Sequence, residues 1–257
     1  MTITLALFLG VLIGVLLGLL GGGGSILAVP ALVYALDMDM DQAIPMSLVV
    51  IGIASAVGLL PKVRAHQVQW RLAGIFAITG IPATFAGTAM GRHLPQTALL
   101  IGFAAVMVVA GVRMLQDAAG TGTACDVGAD GIDWRRCAPR SMSAGLGVGL
   151  LTGLLGVGGG FLIIPALVMM LGVEMPVAVG TSLLIIVANS AAGVAAHLHG
   201  LNLDWAVTAA FAGTATAASL VAGQLGTRVD IDRLQSWFAY LVFAVATFVL
   251  VDTIWLR

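Results

Sequence analysis

The sequence predicts an all-α polytopic membrane protein made of two fused pseudo-repeats. Two observations carry the prediction. Of the 257 residues, 60% are apolar and only 9% charged, against roughly 25% charged in an ordinary soluble domain. The chain also matches itself at a constant offset of 135 residues, from Gly18 on Gly153 to Phe103 on Phe238. The first observation excludes a water-soluble fold. A β-barrel would need short segments alternating apolar and polar residues, whereas these runs are continuously apolar and rich in Leu, Ala and Gly.

The spans follow in chain order. Thr4–Leu20, Ile44–Leu60, Leu72–Met90, Gln96–Leu115, Val177–Ala196, Trp205–Leu225 and Leu234–Val251 carry almost no charge. Most reach the roughly 17–25 residues that a helix needs to cross hydrocarbon. No basic region precedes the first run and no cleavage site follows it, so it reads as a retained helix. Ile26–Leu36 and Phe161–Leu171 are only eleven residues each, which covers roughly half of a 30 Å core. Neither spans alone.

In the self-match, Gly18-Leu-Leu-Gly-Gly-Gly-Gly-Ser25 falls on Gly153-Leu-Leu-Gly-Val-Gly-Gly-Gly160, and Pro30-Ala-Leu-Val33 on Pro165-Ala-Leu-Val168. Ser47 then meets Ser182, Ser55 meets Ser190, Gly58 meets Gly193 and Trp70 meets Trp205. Internal repeats of this length mark many secondary transporters, whose substrate site lies between the halves near the bilayer midplane. Residues 1–116 form the first repeat, 117–140 a polar linker read as a loop, and 141–257 the second repeat. Four true spans per half would make the repeats parallel; three spans and a re-entrant segment would make them inverted. Inversion puts Lys62, Arg64, Arg71, Arg113, Arg135, Arg136, Arg140, Arg228 and Arg233 on one side, the cytoplasmic one, and the Lys- and Arg-free stretch from His197 to Asp204 on the other. The basic residues therefore favour inversion.

The glycine clusters Gly21–Gly24 and Gly156–Gly160 sit in apolar surroundings where a helix has no reason to stop. Glycine permits positive φ and close backbone approach, so such a run can unwind a helix and present the amides of the next short one. Free amides at a helix start suit an anion, which points to Gly23, Gly24, Ser25, Gly158, Gly159 and Gly160. The competing reading is close helix packing through small residues. No Gly-Lys-Ser/Thr follows, so this is not a nucleotide loop.

A polar stripe runs along the next long segment of each half: Ser47 and Ser55 in the first, Thr181, Ser182, Asn189 and Ser190 in the second. At helical spacing Ser47, Ser55 and Gly58 share a face, as do Ser182, Asn189 and Gly193. Such neutral donors suit an oxyanion, although Ser and Thr also bond back to helix carbonyls or join helices. Asn189 is the sharper candidate, because a carboxamide is harder to satisfy within its own helix. Thr79, Thr84, Thr88, Thr214, Thr216 and Ser219 are second-tier candidates, and Pro82 predicts a kink.

Ionisable residues avoid the middles of the spans. Asp37, Asp39, Asp41, Glu174, Asp204, Asp230 and Asp232 fall at ends or in loops, as do His66, His93, His197 and His199. No buried carboxylate relay is visible. With no buried Lys or Arg expected either, an anion would be held by dipoles and neutral donors, which favours modest affinity and release. The spacing of Cys125 and Cys137 fits no zinc pattern; in a cytoplasmic linker they are reduced thiols, while a disulfide argues for the outside. No metal or other cofactor is called for. A net charge of −1 excludes nucleic acid as a partner.

The motifs Gly18-Leu-Leu-Gly-Gly-Gly-Gly-Ser-Ile-Leu-Ala-Val-Pro30, Gly153-Leu-Leu-Gly-Val-Gly-Gly-Gly-Phe-Leu-Ile-Ile-Pro165 and Gly180-Thr-Ser-Leu-Leu-Ile-Ile-Val-Ala-Asn-Ser190 resemble those of the TauE/SafE family of sulfite and organosulfonate exporters, over essentially the whole chain. The resemblance implies a multi-pass transporter of the cytoplasmic membrane that handles a sulfur oxyanion such as sulfite, thiosulfate or sulfoacetate. Ala54 stands where the second half has Asn189, and Pro45 where it has Gly180, so the half-sites are unequal and the second carries more of the candidate chemistry. An anion channel shares most of these features. A membrane-embedded enzyme would need a nucleophile and base, or a metal cluster, within a span, and no Cys, Asp or Glu lies there.

Overall fold

The computed structural model describes residues 2–28, 31–32, 38, 40–91, 134–155, 160–196 and 205–226, and parts of 101–115 and 236–247. The described residues are helical apart from short turns. Helix α1 is Thr2–Leu20 and runs directly into a 3-10 helix, Gly21–Leu27. Then come α2 (Met40–Arg64), α3 (Trp70–Gly91), α4 (Trp134–Leu155), α5 (Gly160–Pro165) with a π-helical turn at Ala166–Met170, α6 (Met175–Ala196) and α7 (Trp205–Gly226). Within α2, α6 and α7 the stretches Pro45–Arg64, Met175–Ala195 and Ala206–Leu225 are long and apolar enough to cross a membrane; Thr4–Leu20 is shorter and apolar. The predicted spans Gln96–Leu115 and Leu234–Val251 lie only partly within the described residues, and those described between 101 and 115 and between 236 and 247 are helical.

Small residues set the packing directions. Gly10 lies against Phe211 and Thr214, Gly14 against Ala215, and Gly18 against Ser219 and Ala222, so α1 and α7 run parallel in close contact. A Cβ on Gly14 would stand 2.8 Å from Ala215 Cα, a distance that only glycine relieves. Helices α3 and α4 are likewise parallel: Gly145 faces Phe76 and Thr79, Gly149 faces Gly80, and Gly87 faces Leu150 and Leu154. Helices α2 and α6 are antiparallel, Leu48 meeting Gly193, Gly52 meeting Ser190, Leu183 lying near Gly58 and Lys62 meeting Gly180. Helix α7 runs parallel to α2, since Ser219 Oγ donates to Ala54 O at 3.2 Å and Gly223 lies near Pro61.

These directions orient every described long helix. Helices α1, α2 and α7 point one way, and α3, α4 and α6 the other. The basic residues Lys62, Arg64, Arg71, Arg135, Arg136 and Arg140 therefore share one end of the bundle, at the close of α2 and the starts of α3 and α4. Because cytoplasmic loops carry an excess of Lys and Arg, that end is the one expected to face the cytoplasm.

At the glycine run α1 ends, Gly21 takes a left-handed φ of 57°, and the following residues wind into the short 3-10 helix. One left-handed residue breaks the α-helix, and chain without side chains can then wind against a second backbone. Two other expectations need correction. The linker expected to be loop to residue 140 turns helical at Trp134. Cys137, expected as a thiol, is disulfide-bonded, and the only other cysteine is Cys125, outside the described residues. Cys137 is fully buried in α4, where it is shielded from reductants. Pro82 lies inside α3, which continues through it.

Candidate anion site

The two chain breaks meet each other. The Gly22 backbone lies against the Gly160 carbonyl, and a Cβ on Gly160 would collide with Ser25 Oγ. Ser25 is buried and donates to Gly22 O at 2.6 Å, closing its own turn. Gly23 and Gly24 lie in the same 3-10 helix. Gly158 and Gly159 lie outside the described residues.

Helix α6 lines this junction with one face. A Cβ on Gly21 would stand 2.7 Å from Ser182 Oγ, and one on Gly160 would stand 3.0 Å from Ile186 Cδ1. Ser182, Ile186 and Asn189 are spaced by four and three residues, so Asn189 continues the face one turn further. Ser182 is buried and donates to Val179 O at 2.8 Å, so its hydroxyl hydrogen is committed to its own helix. Asn189 Oδ1 is buried without a hydrogen-bond partner, and so is Ser55 Oγ on α2. Ser190 is buried opposite Gly52, and Ser47 is buried and has a partner.

Thr181 does not join this group. It is buried, but its Oγ1 accepts a 3.1 Å bond from the Gln69 N–H, tying α6 to the turn between α2 and α3. Its side chain leaves α6 about 100° from that of Ser182, toward the basic end of the bundle. The second-tier hydroxyls divide similarly: Thr79, Thr84 and Thr214 bond to carbonyls in their own helices, Ser219 bridges to α2, and Thr216 Oγ1 is buried without a partner. The side chain of Thr88 lies outside the described residues.

Lys62 was missed. Its position near the end of an apolar run placed it in a solvated loop, and no buried cation was expected. In the structure α2 extends to Arg64, and Lys62 is 1% exposed, covered by Gly180 of α6 and the turn that follows α2. Its place two residues after Leu59-Leu60 and directly before Val63, still within the apolar run, is the signal that could have found it.

The family model for "Sulfite exporter TauE/SafE" matches residues 6–249. A "Probable membrane transporter protein" of Xylella fastidiosa (strain 9a5c) is 32% identical over 241 residues, covering 90% of this chain and 88% of the relative. A counterpart in strain Temecula1 is 32% identical over 235 residues, with the same shares of each chain. The "Probable membrane transporter protein YunE" of Bacillus subtilis (strain 168) is 25% identical over 222 residues, covering 80% of this chain and 81% of its own. A family match over nearly the whole chain, joined by relatives of that identity and coverage, means that the protein belongs to the sulfite exporter TauE/SafE family of multi-pass membrane transporters, not enzymes.

Proposed function

We propose that this transporter exports a small sulfur-containing oxyanion, such as sulfite, thiosulfate or sulfoacetate, bound where the two chain breaks meet the α2/α6 pair. The observation that carries the reading is the pair of buried, unpartnered side-chain atoms there, Ser55 Oγ and Asn189 Oδ1. A buried polar atom left unpaired costs about 1–3 kcal/mol, and it persists most readily where a ligand supplies the partner. The Ser55 hydroxyl donates directly, and the Asn189 carboxamide donates through its NH2 edge when it turns. Backbone amides from the 3-10 helix and the start of α5 complete a neutral donor set.

The same reading takes residues 1–116 and 141–257 as inverted repeats joined by the linker 117–140. Helices α1 and α4 occupy matching places 135 residues apart and point in opposite directions. The α1/α7 pair, which joins the two halves, corresponds under the same offset to the α4/α3 pair, which joins them a second time. Two long-turn bonds also correspond, Met38 N–H to Leu32 O at 3.3 Å and Val173 N–H to Leu167 O at 3.1 Å. In the antiparallel α2/α6 pairing, positions 48, 52, 58 and 62 meet 193, 190, 183 and 180. The point that maps onto itself under the 135-residue offset then falls near Ala54 and Asn189, so the unequal pair sits at the pseudo-two-fold axis.

Uptake of labelled sulfite, thiosulfate and sulfoacetate into proteoliposomes tests the reading. Saturable flux of one anion, depressed at least tenfold by Asn189→Ala with the fold intact, supports it. Flux equal to that of protein-free vesicles for all three under imposed gradients overturns it, and single-channel currents would replace the carrier with a channel.

A further inference from the structure

The junction of the two chain breaks gathers oxygen atoms whose hydrogens are already in use. Ser25 Oγ donates to Gly22 O at 2.6 Å, Ser182 Oγ donates to Val179 O at 2.8 Å, and both serines are buried. A hydroxyl carries one hydrogen and two lone pairs, so each Oγ has only lone pairs left to offer. Distances place these groups together. A Cβ on Gly21 would stand 2.7 Å from Ser182 Oγ and 3.1 Å from Val179 O. One on Gly160 would collide with Ser25 Oγ and stand 3.1 Å from Gly22 O, and one on Gly22 would collide with Gly160 O. Gly21 and Gly22 are consecutive, with Cα atoms about 3.8 Å apart, so five oxygens flank a single peptide unit.

Acceptors gathered in this way suit a cation. Helix α1 ends at Leu20, immediately before them, and the last carbonyls of a helix carry the negative end of its dipole. Broken helices of transporters coordinate monovalent cations with such carbonyls and helix C-terminal ends. Calcium and magnesium sites are built on carboxylates, and among the described residues no three His, Cys, Asp or Glu side chains gather to hold a metal ion. Ser25 and Gly160 are also mates under the 135-residue offset, and Ser25 Oγ occupies the space where a side chain on Gly160 would begin. The junction therefore makes one site, not two. A Cβ on Gly160 would stand 3.0 Å from Ile186 Cδ1, and Asn189 lies three residues further, about 4.5 Å along α6. The oxygen cluster thus adjoins the neutral groups assigned to the anion.

We propose that Ser25 Oγ, Ser182 Oγ and the carbonyl oxygens of Gly22, Gly160 and Val179 hold a monovalent cation such as sodium, whose binding strengthens that of the anion one helical turn away. The proposal rests on the transport reading for the anion, and on the oxygen cluster for the site itself. A fixed positive charge attracts an oxyanion strongly in a medium of low dielectric, and the neutral donors of the anion site do not supply one. The strengthening is reciprocal, because each ion raises the affinity for the other by the same factor.

The test has two arms, and the first needs no anion substrate. In maltoside micelles at constant ionic strength, replacing choline chloride with sodium chloride at about 100 mM is expected to raise the Tm of wild type by about 2–4 °C. Ser25→Ala, which removes one oxygen, and Ser182→Cys, which puts a soft sulfur in place of another, are expected to lose that rise whatever their own Tm in choline. No rise in wild type, or a rise that either variant keeps in full, overturns the site and leaves its oxygens to a bridging water. Should one variant not purify as a monodisperse protein, the other carries this arm by the same criterion. The second arm is titration calorimetry of wild type with sulfite, thiosulfate and sulfoacetate, each added free of sodium. The Kd of the anion that binds is expected to be about tenfold lower in sodium than in choline. An equal Kd in the two salts overturns the strengthening of the anion by the cation. Should no anion bind while sodium still raises the Tm, the transport reading fails alone and the cation site stands.

Discussion

Gly22 and Gly160 lie backbone against backbone, with the carbonyl of Gly160 occupying the space where a side chain on Gly22 would begin. The contact joins the break in the first half of the chain to the break in the second, so the junction is built from both. What a methyl group on Gly22 would meet is backbone, which cannot swing aside as a side chain does. Gly22→Ala is therefore expected to destabilise the protein by at least about 1–3 kcal/mol, read as a lower Tm in detergent, and to abolish flux. Gly147→Ala is the control. Nothing lies within 4 Å of a Cβ there, in the interior of α4, and helix propensity predicts a gain of up to about 1 kcal/mol.

The orphan and the satisfied hydroxyls should separate transport from stability. Ser55 Oγ has no partner, so Ser55→Ala removes a buried polar atom without breaking a bond. Its Tm is expected to hold or rise, while flux falls. Thr181 Oγ1 is the acceptor for Gln69 N–H, so Thr181→Val strands a backbone donor at a cost of about 1–3 kcal/mol. Its Tm is expected to drop, with KM for the anion within threefold of wild type. Thermal denaturation and initial-rate uptake on the two variants check this, and the reverse pattern would exchange the roles of the two residues.

That contrast also marks how far the sequence was legible. Uncharged length predicted α2, α3, α6 and α7 to within a few residues, because a helix in lipid must be long, apolar and internally bonded. The glycine runs and the polar faces carrying Ser182 and Asn189 were legible for the same reason, since periodicity exposes a face. Which hydroxyl on a face is already used was not legible: Thr181 and Ser182 are neighbours in sequence, yet one ties down a distant turn and the other its own helix. Lys62 was misplaced because apolarity fades before a helix ends, and its burial depends on Gly180 from the other half of the chain. The 3-10 winding after Gly21 depends on the contact with Gly160, which no local pattern contains.

The Cys137 disulfide and the basic residues make opposing statements about sidedness, and burial reconciles them. Lys and Arg place the start of α4 in the cytoplasm, where thiols are ordinarily reduced, yet Cys137 is fully buried and disulfide-bonded. In inside-out vesicles of the Cys125→Ser/Cys137→Ser background, Arg64→Cys and Arg140→Cys, both at exposed positions, are expected to react with a membrane-impermeant maleimide. In right-side-out vesicles they should stay unlabelled. The native protein is expected to take up maleimide only when denatured and reduced. Labelling of Arg64→Cys from the outside would invert the topology assigned by charge.

His66 gives the cleanest local test of the turn that carries Gln67 and Gln69. It has a left-handed φ of 55° and ends α2 with two capping bonds, its own N–H to Val63 O and the N–H of Gln67 to Lys62 O. This is the position where a helix end most often takes glycine. A side chain in that conformation costs about 1–2 kcal/mol, while glycine adds about 0.5–1 kcal/mol of lost chain entropy. His66→Gly is therefore expected to stabilise by about 0.5–1 kcal/mol, the difference between those terms. His66→Val, whose branched Cβ resists positive φ, should destabilise by more than about 1 kcal/mol. Since the His66 side chain is exposed, any change in Tm reports the backbone. A lower Tm for His66→Gly would mean that the imidazole itself holds the turn.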